Sequence, residues 1–202
     1  MRKKIGAAIS AFLLIAAASL SVSAADETAV FAGGCFWGVE AVFEHVKGVK
    51  SVVSGYSGGT KSTANYDTVS SGETDHAESV KVVFDPAKVT YQQLLFVFFS
   101  VAHDPTELNR QGPDVGRQYR SVIFYTTDEQ RQLAVAFIDA VNKSKALSKP
   151  VVTEVVPFKA FYAAEEHHQD FIKKNPDYPY VVYNDLPKLE ALKKKFPDLY
   201  KE

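Results

Sequence analysis

A single cysteine, Cys35, is the residue of this 202-residue chain best placed to do chemistry. It lies in Gly33-Gly34-Cys35-Phe36-Trp37-Gly38, where the apolar residues 29–32 give way to a predicted helix. Free backbone N–H groups at a helix start, together with the helix dipole, favour the reactive thiolate. A buried, inert thiol is the commoner state of a lone cysteine. The flanking glycines argue against that state here, and we interpret Cys35 as a nucleophile.

Glu78 is the carboxylate most suited to work beside such a thiol. Strand alternation puts it on one face with Val80, Val82 and Phe84. If that face packs on the core, desolvation raises the pKa of Glu78 and makes it a proton donor near neutral pH. The alternative, which spacing leaves open, is a glutamate on an edge strand that faces solvent.

Tyrosines and one histidine complete the candidate groups. Tyr56, Tyr66 and Tyr119 fall at loop or strand-start positions, where a phenol can donate a hydrogen bond to an oxygen. His103 with Asp104 suggests a Cys–His hydrolase pair. The structural alternative is a turn in which the Asp104 side chain hydrogen-bonds the nearby backbone.

Composition bounds the class of protein. The chain is 46% hydrophobic and 23% charged, which suits one globular domain with a core. Its net charge of −1 gives no indication of nucleic acid or of an anionic membrane. His167 and His168 are adjacent on a predicted helix and make a poor metal pair. No metal-ligand spacing, phosphate loop or dinucleotide fingerprint is present.

The first 24 residues are predicted to be a signal peptide. Residues 2–4 are basic, residues 5–20 are apolar, and Val22-Ser23-Ala24 matches a signal-peptidase site. We expect cleavage between Ala24 and Ala25, leaving residues 25–202 as a single domain secreted, most simply, to a bacterial periplasm. A membrane anchor is disfavoured by the short apolar run, and a lipoprotein by the charges of Asp26 and Glu27. The only methionine is Met1, which suits an enzyme that works where methionine is oxidised.

Periodicity predicts the order of elements. Strands are predicted at 30–32, 49–56, 78–84, 119–125 and 151–157, helices at 35–45, 91–101, 127–142, 164–174 and 187–195, and loops at 60–75 and 103–116. Thr90 with Gln93 forms a predicted capping box. The order is β-α-β-β-α-β, that of a ferredoxin-like two-layer α+β sandwich, with additional C-terminal helices and a strand.

Ordered motifs across residues 30–175 carry a resemblance to a known family. They are Gly34-Cys35-Phe36-Trp37-Gly38, Gly55-Tyr56-Ser57-Gly58-Gly59, His76-Ala77-Glu78, His103-Asp104-Pro105-Thr106, Asn109-Arg110-Gln111-Gly112 and Gln118-Tyr119-Arg120-Ser121. Together they resemble peptide methionine sulfoxide reductases of the A type. The resemblance implies reduction of the S epimer of methionine sulfoxide, free or in proteins, with no metal or organic cofactor.

The resemblance also implies a role for each matching residue. Cys35 would attack the sulfoxide sulfur, and Glu78 would supply the proton that lets the oxygen leave. Tyr66 and Tyr119 would hydrogen-bond that oxygen. The product on the enzyme would be a Cys35 sulfenic acid.

Three further positions are implied to bind the substrate or order the site. Phe36 and Trp37 would form the apolar wall that holds the S-methyl group, and Asp114 would order the site through water. His167 and Phe171 stand where relatives usually carry tyrosines.

The chain departs from many relatives because it has no resolving cysteine near its C-terminus. We therefore expect an external thiol reductant, such as a thioredoxin-like protein or glutathione, to regenerate Cys35. The other expected partners are oxidised proteins or peptides, and we expect a monomer.

Two other functions remain as alternatives. A one-cysteine thiol peroxidase would share Cys35 and its sulfenic acid but would consume peroxide. A non-catalytic module would bind oxidised or methionine-rich peptides in the pocket of Phe36 and Trp37 without turnover.

Overall fold

A computed structural model describes residues 25–202; the proposed signal peptide and the Ala24 side of its cleavage site lie outside them. The strands of this region are β1 (Glu27–Ala32), β2 (Val49–Ser57), β3 (Ala77–Phe84), β4 (Arg110–Gln111), β5 (Asp114–Val115), β6 (Val122–Tyr125), β7 (Glu154–Pro157) and β8 (Phe161–Ala163). Its α-helices are α1 (Phe36–Glu44), α2 (Tyr66–Ser70), α3 (Tyr91–Val97), α4 (Asp128–Ser144), α5 (Phe171–Lys174) and α6 (Leu186–Lys195). No helix in this region is both long and apolar enough to cross a membrane.

The main sheet has the ferredoxin-like strand order. Its six strands run β7-β6-β1-β3-β2-β8. β1 is antiparallel to both β3 and β6, and β3 is antiparallel to β2. Helix α1 connects β1 to β2 and α3 lies between β3 and β6, so the predicted βαββαβ order is confirmed. β7 extends the sheet in parallel beside β6, and β8 extends it beside β2.

Strand β1 is buried on both faces. On the helix-covered face, the Phe31 ring stacks on Phe43 of α1 at 5.2 Å and on Phe98, just after α3, at 4.8 Å. On the opposite face, Val30 and Ala32 belong to a smaller cluster closed by partly buried side chains. Burial on both faces makes β1 a rigid base for the residues that follow it.

Several predicted element bounds agree with the structure. Helix α1 occupies nearly all of 35–45, and α3 begins at the predicted capping box, in which Thr90 and Gln93 bind each other's backbone N–H. Beyond Val97 this helix continues as a π-helical turn, Phe98–Ala102. α4 begins after Thr127, whose hydroxyl accepts a hydrogen bond from the Gln130 N–H.

Other predictions of local structure are wrong. Loop 60–75 contains α2, which begins at Tyr66 because the Asn65 side chain caps the Thr68 N–H. Loop 103–116 contains the β4–β5 hairpin. The strand predicted to start at Tyr119 starts at Val122, and Tyr119 ends a 3₁₀ turn, Arg117–Tyr119.

The helix predicted over 164–174 is also wrong. β8 ends at Ala163, a 3₁₀ turn covers Glu166–His168, and α5 begins only at Phe171. The break occurs at Asp170, whose φ of +52° lies in the left-handed region. Periodicity missed this break because tertiary hydrogen bonds hold the segment against β2 and α1.

Candidate active site

Cys35 is the N-cap residue of α1, at the point where β1 ends and the helix begins. The preceding Gly34 has φ +94°, and a Cβ there would lie 2.7 Å from the Gln111 Cβ. Both the backbone angle and the close contact therefore require glycine. The turn places Cys35 at the edge of the hydrophobic core, with 8% of its surface exposed.

Cys35 is a thiol rather than a thiolate in the resting protein. Burial raises its pKa well above the usual value, and the charges of Glu78 and Asp185 raise it further. The Trp37 backbone N–H and the charge of Lys188 lower it, but burial dominates. At this helix start, desolvation therefore outweighs the free N–H groups, which by themselves favour the thiolate.

Glu78 is buried on the helix-covered face of β3, an inner strand of the sheet. It is 2% exposed and shares its face with Val80, Val82 and Phe84, which confirms the core-facing prediction over the solvent-facing one. Its Oε2 accepts a hydrogen bond from the Phe36 N–H at 3.0 Å. Burial raises its pKa to about 8, and Asp114 adds to the shift. Near neutral pH, Glu78 is therefore mostly a neutral carboxylic acid.

A cavity of about 200 Å³ is lined by the residues to which the family resemblance gave roles. Cys35, Phe36, Trp37, Tyr66, Glu78, Asp114 and Tyr119 all line it, together with Tyr178 and Tyr180. They come from β1–α1, α2, β3, β5, the 3₁₀ turn before β6 and the segment before α6. The arrangement places a thiol, a neutral acid and several phenols around one small space.

Tyr66 and Tyr119 are two of the phenols that line this cavity. Burial raises the pKa of each, and the charge of Glu78 adds to the shift, so both hydroxyls stay protonated and able to donate. The Tyr66 N–H donates to Glu165 Oε1 at 2.9 Å. Tyr56 does not line the cavity; its hydroxyl donates to Glu165 Oε2 at 2.9 Å. Tyr56 therefore supports Tyr66 through a shared carboxylate.

Trp37 is held as one wall of the cavity by its neighbours. Its ring stacks on Phe171 at 3.7 Å with the planes 6° apart. Its Nε1–H donates to His168 Nδ1 at 3.2 Å, and the edges of Tyr178 and Tyr180 meet it near 90°. Phe171 thus contacts Trp37 from behind and does not line the cavity, while His167 is exposed.

Sequence reasoning missed Tyr178 and Tyr180. The Tyr180 hydroxyl donates a hydrogen bond to Asp114 Oδ2, which joins the C-terminal segment to the β4–β5 hairpin. The only feature of the sequence that could have indicated Tyr178 and Tyr180 is their position on either side of Pro179, and it has no spacing relation to Cys35.

Sequence reasoning also missed Asp185 and Lys188, an ion pair at 3.1 Å beside Gly38, where a Cβ would lie 2.2 Å from Asp185 Oδ1.

His103 does not form a catalytic pair. Its Nδ1 binds the Phe98 carbonyl at 3.0 Å and its Nε2 binds Ser121 Oγ at 2.7 Å, while burial lowers its pKa to about 4. Asp104 Oδ1 accepts from the Thr106 N–H and hydroxyl, as the turn interpretation predicted. Both ring nitrogens are therefore occupied. Within residues 25–202, no group of three or more His, Cys, Asp or Glu side chains could hold a metal.

Comparisons with known proteins show the family to which the chain is similar. The profile of the peptide methionine sulfoxide reductase family matches residues 27–200. Peptide methionine sulfoxide reductase MsrA 2 of Mesorhizobium japonicum is 60% identical over 88% of this chain and 91% of its own, and that of Synechocystis is 59% identical over 87% and 82%. The crystal structure of reduced Mxr1 from Saccharomyces cerevisiae is 33% identical with a TM-score of 0.69, covering 76% of this chain and 87% of that one.

Proposed function

The chain belongs to the peptide methionine sulfoxide reductase family, and we propose that it reduces the S epimer of methionine sulfoxide, free or in proteins, to repair oxidised methionine. One observation carries the proposal. A neutral Glu78 and the Cys35 thiol face the same small cavity, whose other walls are aromatic rings, phenols and the Asp114 carboxyl. A sulfoxide needs this pairing, because its oxygen leaves poorly unless it is protonated.

The substrate would bind with its apolar and polar ends separated. Phe36 and Trp37 contact the S-methyl group through their ring faces and edges. The sulfoxide oxygen lies towards Glu78, with Tyr66 and Tyr119 as hydrogen-bond donors. Donors aimed at the site of developing charge stabilise a transition state more than the ground state. Asp114 orders the site through its hydrogen bond with Tyr180.

The reaction is a two-electron transfer between two sulfurs. The Cys35 sulfur attacks the sulfoxide sulfur while Glu78 gives its proton to the oxygen, and the thiol proton of Cys35 restores the acid. The sulfur–oxygen bond of the substrate breaks as the oxygen becomes bonded to the Cys35 sulfur, and the transient sulfur–sulfur bond breaks to release the thioether. Cys35 is left as a sulfenic acid. The sulfoxide is reduced to a thioether, and the cysteine is oxidised by the same two electrons.

Regeneration needs a thiol from outside the chain, since Cys35 is the only cysteine. A thioredoxin-like protein or glutathione would form a mixed disulfide with Cys35 and release water. The second cysteine of the thioredoxin-like protein, or a second glutathione molecule, would then free Cys35.

Export is the part of the proposal that rests on residues 1–24. Their basic start, apolar run and small-residue cleavage site are typical of a secretory signal. The remaining 178 residues, 25–202, carry no methionine, so the enzyme presents no competing substrate of its own in an oxidising compartment. Fractionation of cells that produce the full chain would test this: a periplasmic protein beginning at Ala25 is expected, and a full-length cytoplasmic one would contradict it.

The direct test uses residues 25–202 with peptides that carry the separated S and R epimers, with dithiothreitol as reductant. Mass spectrometry follows loss of oxygen. We expect reduction of the S epimer alone and none by Cys35→Ser, because serine cannot take the oxygen as a sulfenic acid. Binding of the peptides without turnover would favour the non-catalytic module, and turnover of peroxide alone would favour the thiol peroxidase.

A further inference from the structure

A second cavity, of about 280 Å³, also reaches Cys35. Its walls come from the end of the α3 segment, the β4–β5 hairpin and the residues that lead into α6. They include Val101, His103, Gln111, Pro113, Asn184 and Lys188. None of these residues lines the first cavity, which contains Glu78, Tyr66, Tyr119 and the Trp37 wall. Cys35 is therefore accessible along two differently lined approaches.

The two cavities share only Cys35, Asp114 and Tyr180. The hydrogen bond from the Tyr180 hydroxyl to Asp114 Oδ2 joins two of these residues. Together they form a partition between the cavities next to the cysteine. A methionine side chain bound against Trp37 and Phe36 would therefore leave the second cavity empty.

Displacement at a sulfenic acid has a directional requirement. The incoming thiol sulfur must approach the Cys35 sulfur in line with the S–O bond that breaks, from the side away from the oxygen. In the proposed reaction the oxygen lies among Glu78, Tyr66 and Tyr119, which line the first cavity only. We propose that the second cavity is the approach by which the reductant's thiol reaches Cys35. This inference rests on the proposed function.

The charged residues of the second cavity favour a ligand that enters with its thiol first over one that enters with an acidic group first. The carboxylates of Asp104, Glu107 and Asp114 line it, and they disfavour a ligand that brings acidic groups deep inside. Lys188 is the cation of the lining, paired with the buried Asp185 at 3.1 Å, and its charge favours the thiolate at Cys35. The group that enters is therefore an alkyl thiol, carried by a small molecule or by an exposed cysteine of a redox protein.

The step balances without a further reagent. The reductant's sulfur forms a disulfide bond with Cys35 as the Cys35–oxygen bond breaks. Glu78, on the oxygen side, gives its proton to the departing hydroxyl to form water, and the thiol proton restores Glu78. Cys35 is reduced and the incoming thiol is oxidised to the mixed disulfide, which a second thiol of the same reductant then cleaves.

The test uses two substitutions that narrow the second cavity, one on each of two walls, and each substitution has a matched control. Pro113→Trp and Asn184→Trp add bulk to lining residues. Val115→Trp, in the same hairpin, and Val182→Trp, in the same C-terminal segment, add it at exposed positions that line neither cavity. The sulfenic acid is made with one equivalent of S-sulfoxide peptide and no thiol, and the methionine formed in this burst is measured first. Glutathione or a reduced thioredoxin is then mixed in rapidly, and mixed disulfide is counted by intact mass.

We expect both cavity variants to keep the methionine burst while glutathione reacts at least about tenfold more slowly, with both controls close to the parent protein. A slower reaction with thioredoxin as well would place a protein thiol in the same cavity. A reduced rate for glutathione alone would assign the cavity to small thiols. Unchanged thiol rates in both cavity variants would overturn the inference, as would equal slowing of the burst and the thiol step.

Failure of the proposed function would be seen separately. In that case no methionine appears in the burst, and the Cys35 sulfenic acid is made instead with one equivalent of hydrogen peroxide. The comparison of thiol rates among the four variants then still tests the approach through the second cavity.

Discussion

At the scale of single residues, the site depends on two acids whose proton affinities are raised together. Burial raises the pKa of Cys35 and of Glu78, so both are mostly protonated in the resting protein at neutral pH. The arrangement keeps Glu78 as a donor but leaves little thiolate before substrate binds. Deprotonation of Cys35 therefore belongs to the reaction itself, in which the thiol proton replaces the one that Glu78 gives away.

Glu78→Gln tests the proton donor. Glutamine keeps the size, the neutral charge and an oxygen that can accept from the Phe36 N–H, but it has no proton to transfer. We expect the single-turnover rate of methionine formation to fall by about 10²–10⁴ with peptide binding within a few-fold of the parent. In the parent, the rate of this step should fall as pH rises through about 8, because Glu78 loses its proton there. A rate that keeps rising above that pH would contradict the assignment.

At the scale of elements, the segment between β8 and α5 positions the aromatic wall. Gln169 binds the Ser54 backbone through both its amide oxygen and its amide nitrogen, each at 2.9 Å. The Asp170 N–H donates to Glu40 Oε2 of α1 at 3.1 Å. These bonds hold the segment between β2 and α1, so that His168 and Phe171 both contact Trp37.

His168→Phe tests this positioning. Phenylalanine fills the buried space but cannot accept the Trp37 Nε1–H, so the ring loses its one hydrogen bond. We expect KM for the sulfoxide peptide to rise by about three- to tenfold with kcat changed less, as for a lost bond of about 1 kcal/mol. Trp37 is the only tryptophan, so its fluorescence emission should shift in the same variant.

The control for this variant is His167→Phe, at the adjacent exposed position, where phenylalanine keeps a ring against His168 and leaves the bond to Trp37 intact. It should leave both KM and the emission spectrum unchanged. Equal effects of the two substitutions would show that the segment tolerates no phenylalanine, and would remove the specific role of His168.

At the scale of the whole molecule, buried acids make stability depend on pH. Glu40 is 2% exposed, and burial raises its pKa from 4.5 to about 8, with smaller effects of Glu44 and Asp170. Glu78 is raised to about the same value. A carboxyl with a raised pKa holds its proton more tightly in the folded protein than in the unfolded chain. The free energy of unfolding therefore falls as pH rises from about 4.5 towards about 8.

Glu40→Gln tests this contribution away from the catalytic centre. Glutamine can still accept from the Asp170 N–H but does not ionise, so its stability lacks the Glu40 part of the pH dependence. Urea unfolding at several pH values should show the variant gaining on the parent between pH 5 and 8.5, by an amount on the order of 1–4 kcal/mol. Glu190→Gln, on the exposed side of α6, serves as control. A constant difference between Glu40→Gln and the parent would contradict the buried-acid interpretation.

Local sequence was sufficient for much of the fold and for the reacting pair. The βαββαβ order, the capped starts of α3 and α4, and the place of Cys35 at the strand–helix turn follow from periodicity and short-range hydrogen bonds. The inward face of Glu78 follows from alternation with Val80, Val82 and Phe84. Such features depend on residues a few positions apart, and the sequence expresses them directly.

Only the tertiary structure decided how the site is completed. It brought Tyr178 and Tyr180 to Cys35, set His168 against Trp37, and gave Cys35 its second approach. It also raised the pKa of Cys35, because desolvation is set by all the elements that pack over the thiol, whereas the effect of the helix start is local. Burial and long-range contact arise from the packing of distant segments, and no spacing within one segment records them.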